Sequence, residues 1–265
     1  MSSFTKTFSS SIGKKLIMSL TGLFLSLFLV VHLIGNLQLF KDDAGKAFNE
    51  YSYFMTHFLP IKIISYLLYA SIILHAVYSL LLTLKNKKAR PVGYAHFNGS
   101  ANSSWSSRNM GILGTILLVF IVIHMKTFWW EYHNGALPYT QYITELQNPN
   151  AVKVTELPTS GVELMHSSYI DAQNGLQVVV AKDLYKVVLE AFSHLWYVVL
   201  YVLSMIALAF HLYHGFQSGF QTLGFDHNKY FPAIKFLGLW AFTIIIPALF
   251  AAMPIYIYLK QSNLI

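Results

Sequence analysis

Five long stretches of this chain contain no Asp, Glu, Lys or Arg: 16–40, 63–84, 109–125, 191–225 and 236–259. A bilayer's hydrocarbon core is about 30 Å thick, so a helix rising ~1.5 Å per residue needs about 20 apolar residues to cross it. The third stretch reaches that length if the Lys126 side chain snorkels to the interface and Thr127 to Trp130 continue the helix. The fourth is longer than one span needs, and Gly215, Gly219 and Gly224 mark its end and a turn. The sequence therefore predicts an all-α membrane bundle of five transmembrane helices over about 14–40, 60–86, 108–130, 185–217 and 232–259. These form a single membrane domain, 1–265, with one polar segment at about 131–184. At 55% hydrophobic and 11% charged residues, the composition argues against a soluble globule.

Lys and Arg near span ends are held on the cytoplasmic side. Lys14, Lys15, Lys85, Lys87, Lys88, Arg90, Arg108, Lys229 and Lys235 all fall on one side of this arrangement, whereas Lys41, Lys46 and Lys62 face Asp42, Asp43 and Glu50 on the other. This predicts a cytoplasmic N-terminus, a C-terminus outside and a multi-pass protein of a bacterial inner membrane. It also accounts for the net charge of +7 without nucleic acid, since no basic stripe interleaved with aromatics is present. The first apolar run exceeds a signal-peptide core and precedes no small-x-small cleavage site, so it reads as a retained helix. Phe40, Phe128, Trp129, Trp130, Trp196 and Tyr197 fit an interfacial belt, and any single one of them fits an ordinary core position equally well. The segment 131–184, with turn signals at Asn148-Pro149-Asn150, Leu157-Pro158 and Gly161, is too long for a plain connector.

With no cysteine, the chain cannot ligate an iron–sulfur cluster, attach a c-type haem covalently or form a disulfide. A cofactor must hang on nitrogen or oxygen, and eleven histidines are available. An ionisable residue within the hydrocarbon is costly and marks a functional site by default. His32, His75, His124 and His211 each sit within a different span. His32 follows Lys15 by 17 residues and His124 follows Arg108 by 16, which puts both about 25 Å along parallel helices. His75 precedes Lys85 by 10 residues, and His211 lies near the cytoplasmic end of its antiparallel helix. Two level pairs at two depths are what axial ligation of two stacked porphyrins requires, and a bis-histidine site favours electron transfer over oxygen chemistry. His214 shares a helix face with His211 and competes for its role. Gly35 and Gly215 leave room for a macrocycle or for helix packing. His194 is placed to meet a headgroup or quinone, while His57, His96, His133, His166 and His227 read as solvated. Glu190 either pairs with Lys186 or joins a proton route.

These residues resemble the five-helix, di-haem cytochrome b anchor subunit of succinate:menaquinone oxidoreductases (succinate dehydrogenases) and fumarate reductases. The resemblance covers nearly the whole chain. It rests on Ser19-Leu20-Thr21-Gly22, His32-Leu33-Ile34-Gly35-Asn36, His75 followed by basic residues, His124, and His211-Leu212-Tyr213-His214-Gly215-Phe216-Gln217. The histidine, three residues, glycine pattern of the last favours His211 over His214. The resemblance implies two haem b groups. His75 and His211 would hold the proximal iron, and His32 and His124 the distal one. It implies menaquinone as substrate, and two partners on the cytoplasmic face: an FAD-bearing flavoprotein that carries the dicarboxylate chemistry, and an iron–sulfur subunit. Quinone reduction calls for a polar group near the distal haem, for which Asn49, Glu50, His57 and His194 are candidates. The segment 131–184 is longer than expected in this family. The Glu that some relatives carry just before the span-four ligand is replaced by Ala209-Phe210. Two other readings remain open: the di-haem subunit of another respiratory oxidoreductase, and a haem-free proton-coupled transporter, against which stands the lack of inverted repeats.

Overall fold

The computed structural model describes residues 10–89, 92, 98–157 and 165–265; Arg90, His96, Pro158 and Gly161 lie outside the described residues. Long apolar runs become helices because hydrocarbon offers backbone N–H and C=O groups no partner, and a helix satisfies them within the segment. The helices are α1 (Ser11–Asn36, prolonged by a 3-10 turn at Leu37–Phe40), α2 (Lys46–His57), α3 (Leu59–Lys88), the short α4 (Gly99–Asn102) and α5 (Trp105–Arg108), and α6 (Met110–His124). A π-helix, Met125–Trp130, carries α6 into α7 (Glu131–Asn134). After the strands come α8 (Leu184–Phe192), α9 (Leu195–Thr222) and α10 (Phe231–Leu237), which runs through a second π-helix, Gly238–Ile245, into α11 (Ile246–Gln261).

Among the described residues, five continuous helical segments are long and apolar enough to cross a membrane: Ser11–Phe40, Leu59–Lys88, Met110–Asn134, Leu195–Thr222 and Phe231–Gln261. That is the pattern of a multi-pass membrane protein. Large apolar side chains stand exposed along them, among them Leu20, Leu27, Ile64, Leu74, Leu81, Ile112 and Val122. In water such a surface would drive aggregation, whereas against lipid tails it is solvated.

Two boundaries differ from the sequence expectation. The fourth span starts at Leu195, not near residue 185, because the chain breaks at Ser193 and His194. The Ser193 hydroxyl donates to the Glu190 carbonyl at 2.7 Å, and its N–H goes to Leu189 and Glu190. That span runs on through Gly215 and Gly219, and the turn comes at Gly224, whose φ of +84° suits glycine. The third span does continue through Lys126. Its π-turn brings Lys126 and Glu131, five residues apart, to 2.7 Å, a spacing that an α-helix would place on different faces.

The all-α expectation is corrected between Tyr139 and Lys182, where the chain forms a four-stranded antiparallel sheet in the order β2-β1-β4-β3. The strands are β1 (Tyr139–Glu145), β2 (Asn148–Leu157), β3 (Ser167–Asp171) and β4 (Leu176–Lys182). Along β1 every second residue, Thr140, Tyr142 and Thr144, is buried, as a half-covered strand requires. Tyr142 pairs with Val179 and Thr140 with Ala181, giving a small core that Val152 completes.

The described chain divides into two compact units. One comprises Met1–Val31, Ile64–Phe120 and Tyr201–Ala251; the other comprises His32–Ile63, Ile121–Leu200 and Ala252–Ile265. In the first, Gly219 admits the Leu23 side chain and Gly238 admits the Phe216 ring, so these glycines serve helix packing. In the second, the sheet is fastened to α2 by a closed polar network. Asn49, 1% exposed, donates its amide to the Tyr142 hydroxyl at 2.8 Å and to Asp183 at 2.9 Å, while its carbonyl oxygen accepts the Tyr185 N–H. Asp183 also accepts from the Thr140 hydroxyl and caps α8 through the Lys186 N–H.

Every polar atom of Asn49 is used, so removing it strands several buried partners, at about 1–3 kcal/mol each. Asn49→Leu should destabilise the sheet by at least about 3 kcal/mol, read as lost hydrogen-exchange protection in β1 and β4. Lys186→Ala, which breaks only the exposed Lys186–Glu156 pair, should leave that protection unchanged.

Candidate functional site

The four span histidines fall into two facing pairs, one in each unit. In the first unit, α3 presents His75 and α9 presents His211, with ring centroids 6.3 Å apart and planes crossed at 67°. In the second, His32 near the end of α1 meets His124 at the end of α6, with centroids 5.7 Å apart and planes at 88°. All four rings are partly buried. They are the same pairs that counting residues from the span ends had matched by depth. It is the His211 ring that faces His75, and His214, three residues on, makes no such ring contact.

Each pair has a polar neighbour on α1. The Thr21 hydroxyl lies 3.2 Å from His75 Nδ1, and the Asn36 amide lies 3.4 Å from His32 Nδ1 while donating at 2.7 Å to the His32 carbonyl. His211 differs: its Nδ1 is buried with no hydrogen-bond partner, a state that costs about 1–3 kcal/mol unless something else satisfies it. His211 lies beside two glycines. A Cβ at Gly114 or Gly215 would stand 3.7 Å from Cε1 or 4.0 Å from Cδ2 of its ring. Gly35, by contrast, serves a side chain. The Tyr51 ring presses on it so closely that a Cβ would fall 2.1 Å from Tyr51 Cε1.

Among the described residues no cluster of three or more His, Asp or Glu side chains could hold a metal ion. A metal held in line between two imidazoles at about 2.0–2.1 Å each separates the two nitrogens by about 4 Å and the ring centroids by about 6.4 Å. The His75–His211 separation matches that span and the His32–His124 rings stand closer than it, so the first pair suits a planar metal complex that supplies its own equatorial ligands, and the second would have to open slightly to take one.

The remaining sequence candidates have other occupations. Asn49 is spent on the Tyr142–Asp183 network. His194 is exposed at the break between α8 and α9. Lys186 pairs with Glu156 at 2.8 Å rather than with Glu190. Tyr197, which the sequence leaves between an interfacial belt and the core, is buried and donates to the Thr127 hydroxyl at 2.6 Å. Glu50 on α2 is half-buried, and desolvation raises its carboxyl above the usual range against the opposing pull of Lys46.

His166, expected to be solvated, stacks on Tyr53 at 3.7 Å, as does His57 at 4.0 Å. Its Nδ1 is buried without a partner. Sequence reasoning missed this because the contact joins a loop to a helix far away in the chain. Known protein families, curated proteins and solved structures offer no match to the chain.

Burial lowers the His166 pKa below its ordinary 6.5, and the neighbouring His57 adds to the shift. The folded state thus binds fewer protons than the unfolded chain just below pH 6.5. Stability should be undisturbed above that pH and should fall as pH drops through 6.5 toward the folded-state value. His166→Gln should flatten that acid limb, measured as the pH dependence of exchange protection in β4.

Proposed function

We propose that the chain is the di-haem cytochrome b membrane anchor of a succinate:menaquinone oxidoreductase or fumarate reductase, carrying electrons between an iron–sulfur partner and menaquinone. The observation that carries this reading is the presence of two imidazole pairs from different spans, with rings 6.3 and 5.7 Å apart, close to the separation that a shared iron would set. His75 and His211 would hold the iron nearer the cytoplasm, and His32 and His124 the one farther from it.

When bound, haem iron supplies one-electron chemistry between its ferric and ferrous states. The protein's own contributions are separable. The imidazoles of His75, His211, His32 and His124 would hold the two irons and leave them no open position for oxygen. Apolar helix walls keep water away, which sets the potential through burial. Gly114 and Gly215 leave open the approach to His211. Held in this way, the irons would pass electrons and nothing else, and the dicarboxylate chemistry would fall to a flavoprotein partner carrying FAD.

The clustering of basic residues supports a cytoplasmic N-terminus, a C-terminus outside, and docking of the flavoprotein and iron–sulfur subunits on the cytoplasmic face of a bacterial inner membrane. Quinone reduction consumes protons as well as electrons. Of the four polar candidates, Glu50 now suits that task best. Its carboxyl keeps its proton at higher pH than an ordinary glutamate, and it lies in the same unit as the His32–His124 pair. Asn49 has no free polar atom to offer, and His57 and His194 remain weaker candidates.

The purified protein should give a reduced-minus-oxidised spectrum with two b-type components. His75→Ala or His211→Ala should abolish one component, and His32→Ala or His124→Ala the other, whereas His214→Ala and His194→Ala should retain both. Protein captured from its native membrane should bring down a flavoprotein with covalent FAD. Haem without that partner would assign the chain to a different respiratory enzyme, and absence of haem would end the reading altogether.

A further inference from the structure

Three serine and threonine hydroxyls are buried along α1, and all three are returned to the helix backbone. Ser19 donates to the Lys15 carbonyl, Ser26 to the Gly22 carbonyl, and Thr21 to the Ile17 carbonyl at 2.7 Å. Thr21 alone of the three also reaches a side chain on another helix, with its Oγ1 at 3.2 Å from His75 Nδ1. A hydroxyl has one proton and two lone pairs. The backbone carbonyls around Thr21 can only accept, and the nearest of them takes that proton. With its proton given to the backbone, Thr21 has a lone pair left for His75, which a hydrogen on His75 Nδ1 would meet, leaving Nε2 bare.

Gly22 holds the same edge of the ring. A Cβ there would stand 3.0 Å from His75 Cε1 and 3.5 Å from Nδ1, so the imidazole rests against the helix backbone on the side where it is hydrogen-bonded. The Met18 backbone also hydrogen-bonds His75; Thr21 is the side chain that meets Nδ1, and Gly22 seats the ring.

We propose that Thr21 is a positioning residue for His75, holding it as the Nδ1–H tautomer so that Nε2 is the only nitrogen free to ligate a metal. The identity of that metal as haem iron rests on the function proposed above; the tautomer does not. An acceptor on the far N–H makes an imidazole a more basic ligand and so favours the oxidised metal. His211, whose Nδ1 is unpartnered, lacks this support, so the two axial positions of this pair are unequal.

The test uses the full-length chain in detergent micelles with 15N-labelled histidine, before any haem is supplied. The His75 signals are assigned by their loss in His75→Gln. The expected wild-type result is a protonated Nδ1 and a bare Nε2. Thr21→Val should give a mixture of tautomers, and Thr21→Ser should restore the wild-type state. A wild-type His75 protonated on Nε2, or a tautomer unchanged in Thr21→Val, overturns the proposal. Because the wild-type measurement needs no variant, a poorly folding Thr21→Val does not rescue it.

In the haem-loaded protein, Thr21→Val should raise the midpoint potential of one b-type component and leave the other in place, with Thr21→Ser returning it. If both components stay put, Thr21 does not tune a metal. If no haem binds to wild type, the functional reading fails while the tautomer result still stands on its own.

Discussion

An imidazole in hydrocarbon has no water to turn to, and this constraint organises both candidate sites. Each nitrogen must find a protein partner, a metal or an energetic penalty of about 1–3 kcal/mol. A structural histidine would spend both nitrogens on backbone or side-chain groups. Here two pairs of rings converge at 5.7 and 6.3 Å, with one nitrogen of His211 left without a partner. Two neutral imidazoles side by side gain little from each other, and the His211 Nδ1 in particular has no hydrogen-bond partner. A cation placed between them converts that deficit into ligation, which is why the pairing carries more weight than any single histidine.

The polar network around Asn49 obeys the same rule by the opposite route. Asn49, Tyr142, Asp183, Thr140 and the Tyr185 N–H satisfy one another completely, so the join between α2 and the sheet is tight and leaves nothing over for a ligand. Gly45 contributes to this join. Its φ of +85° and the Tyr185 ring packed against its Cα both exclude a side chain. A buried polar group with every bond made builds structure, whereas one with a bond to spare marks a place where something else can bind.

The helical framework and the histidine pairs were legible in the sequence because lipid imposes a coarse code: length, lack of charge, and depth counted at a fixed rise per residue. That code is silent where the environment is not hydrocarbon. The buried face of β1 consists of Thr140, Tyr142 and Thr144, so its period-two pattern does not stand out as apolar, although the β-branched and aromatic residues were there to be read. The break at Ser193-His194 carries no Gly or Pro and depends on a serine hydroxyl turning back on the helix. The π-turn after His124 leaves no compositional trace. His166 is partly covered by the ring of Tyr53, which comes to it from a distant helix, and no local window contains that contact.

The dipeptide Thr21-Gly22 brings these strands of argument together. Read as sequence, it is part of a helix opening whose small residues fit ordinary membrane packing. In the structure both residues touch one imidazole, the first through its hydroxyl oxygen and the second through the absence of a side chain. A valine at 21 would pack equally well against lipid or helix but could not accept a proton. An alanine at 22 would be a better helix former but would strike the ring. Packing against the ring accounts for Gly22, and the proposed holding of one His75 tautomer would give the hydroxyl at 21 its reason.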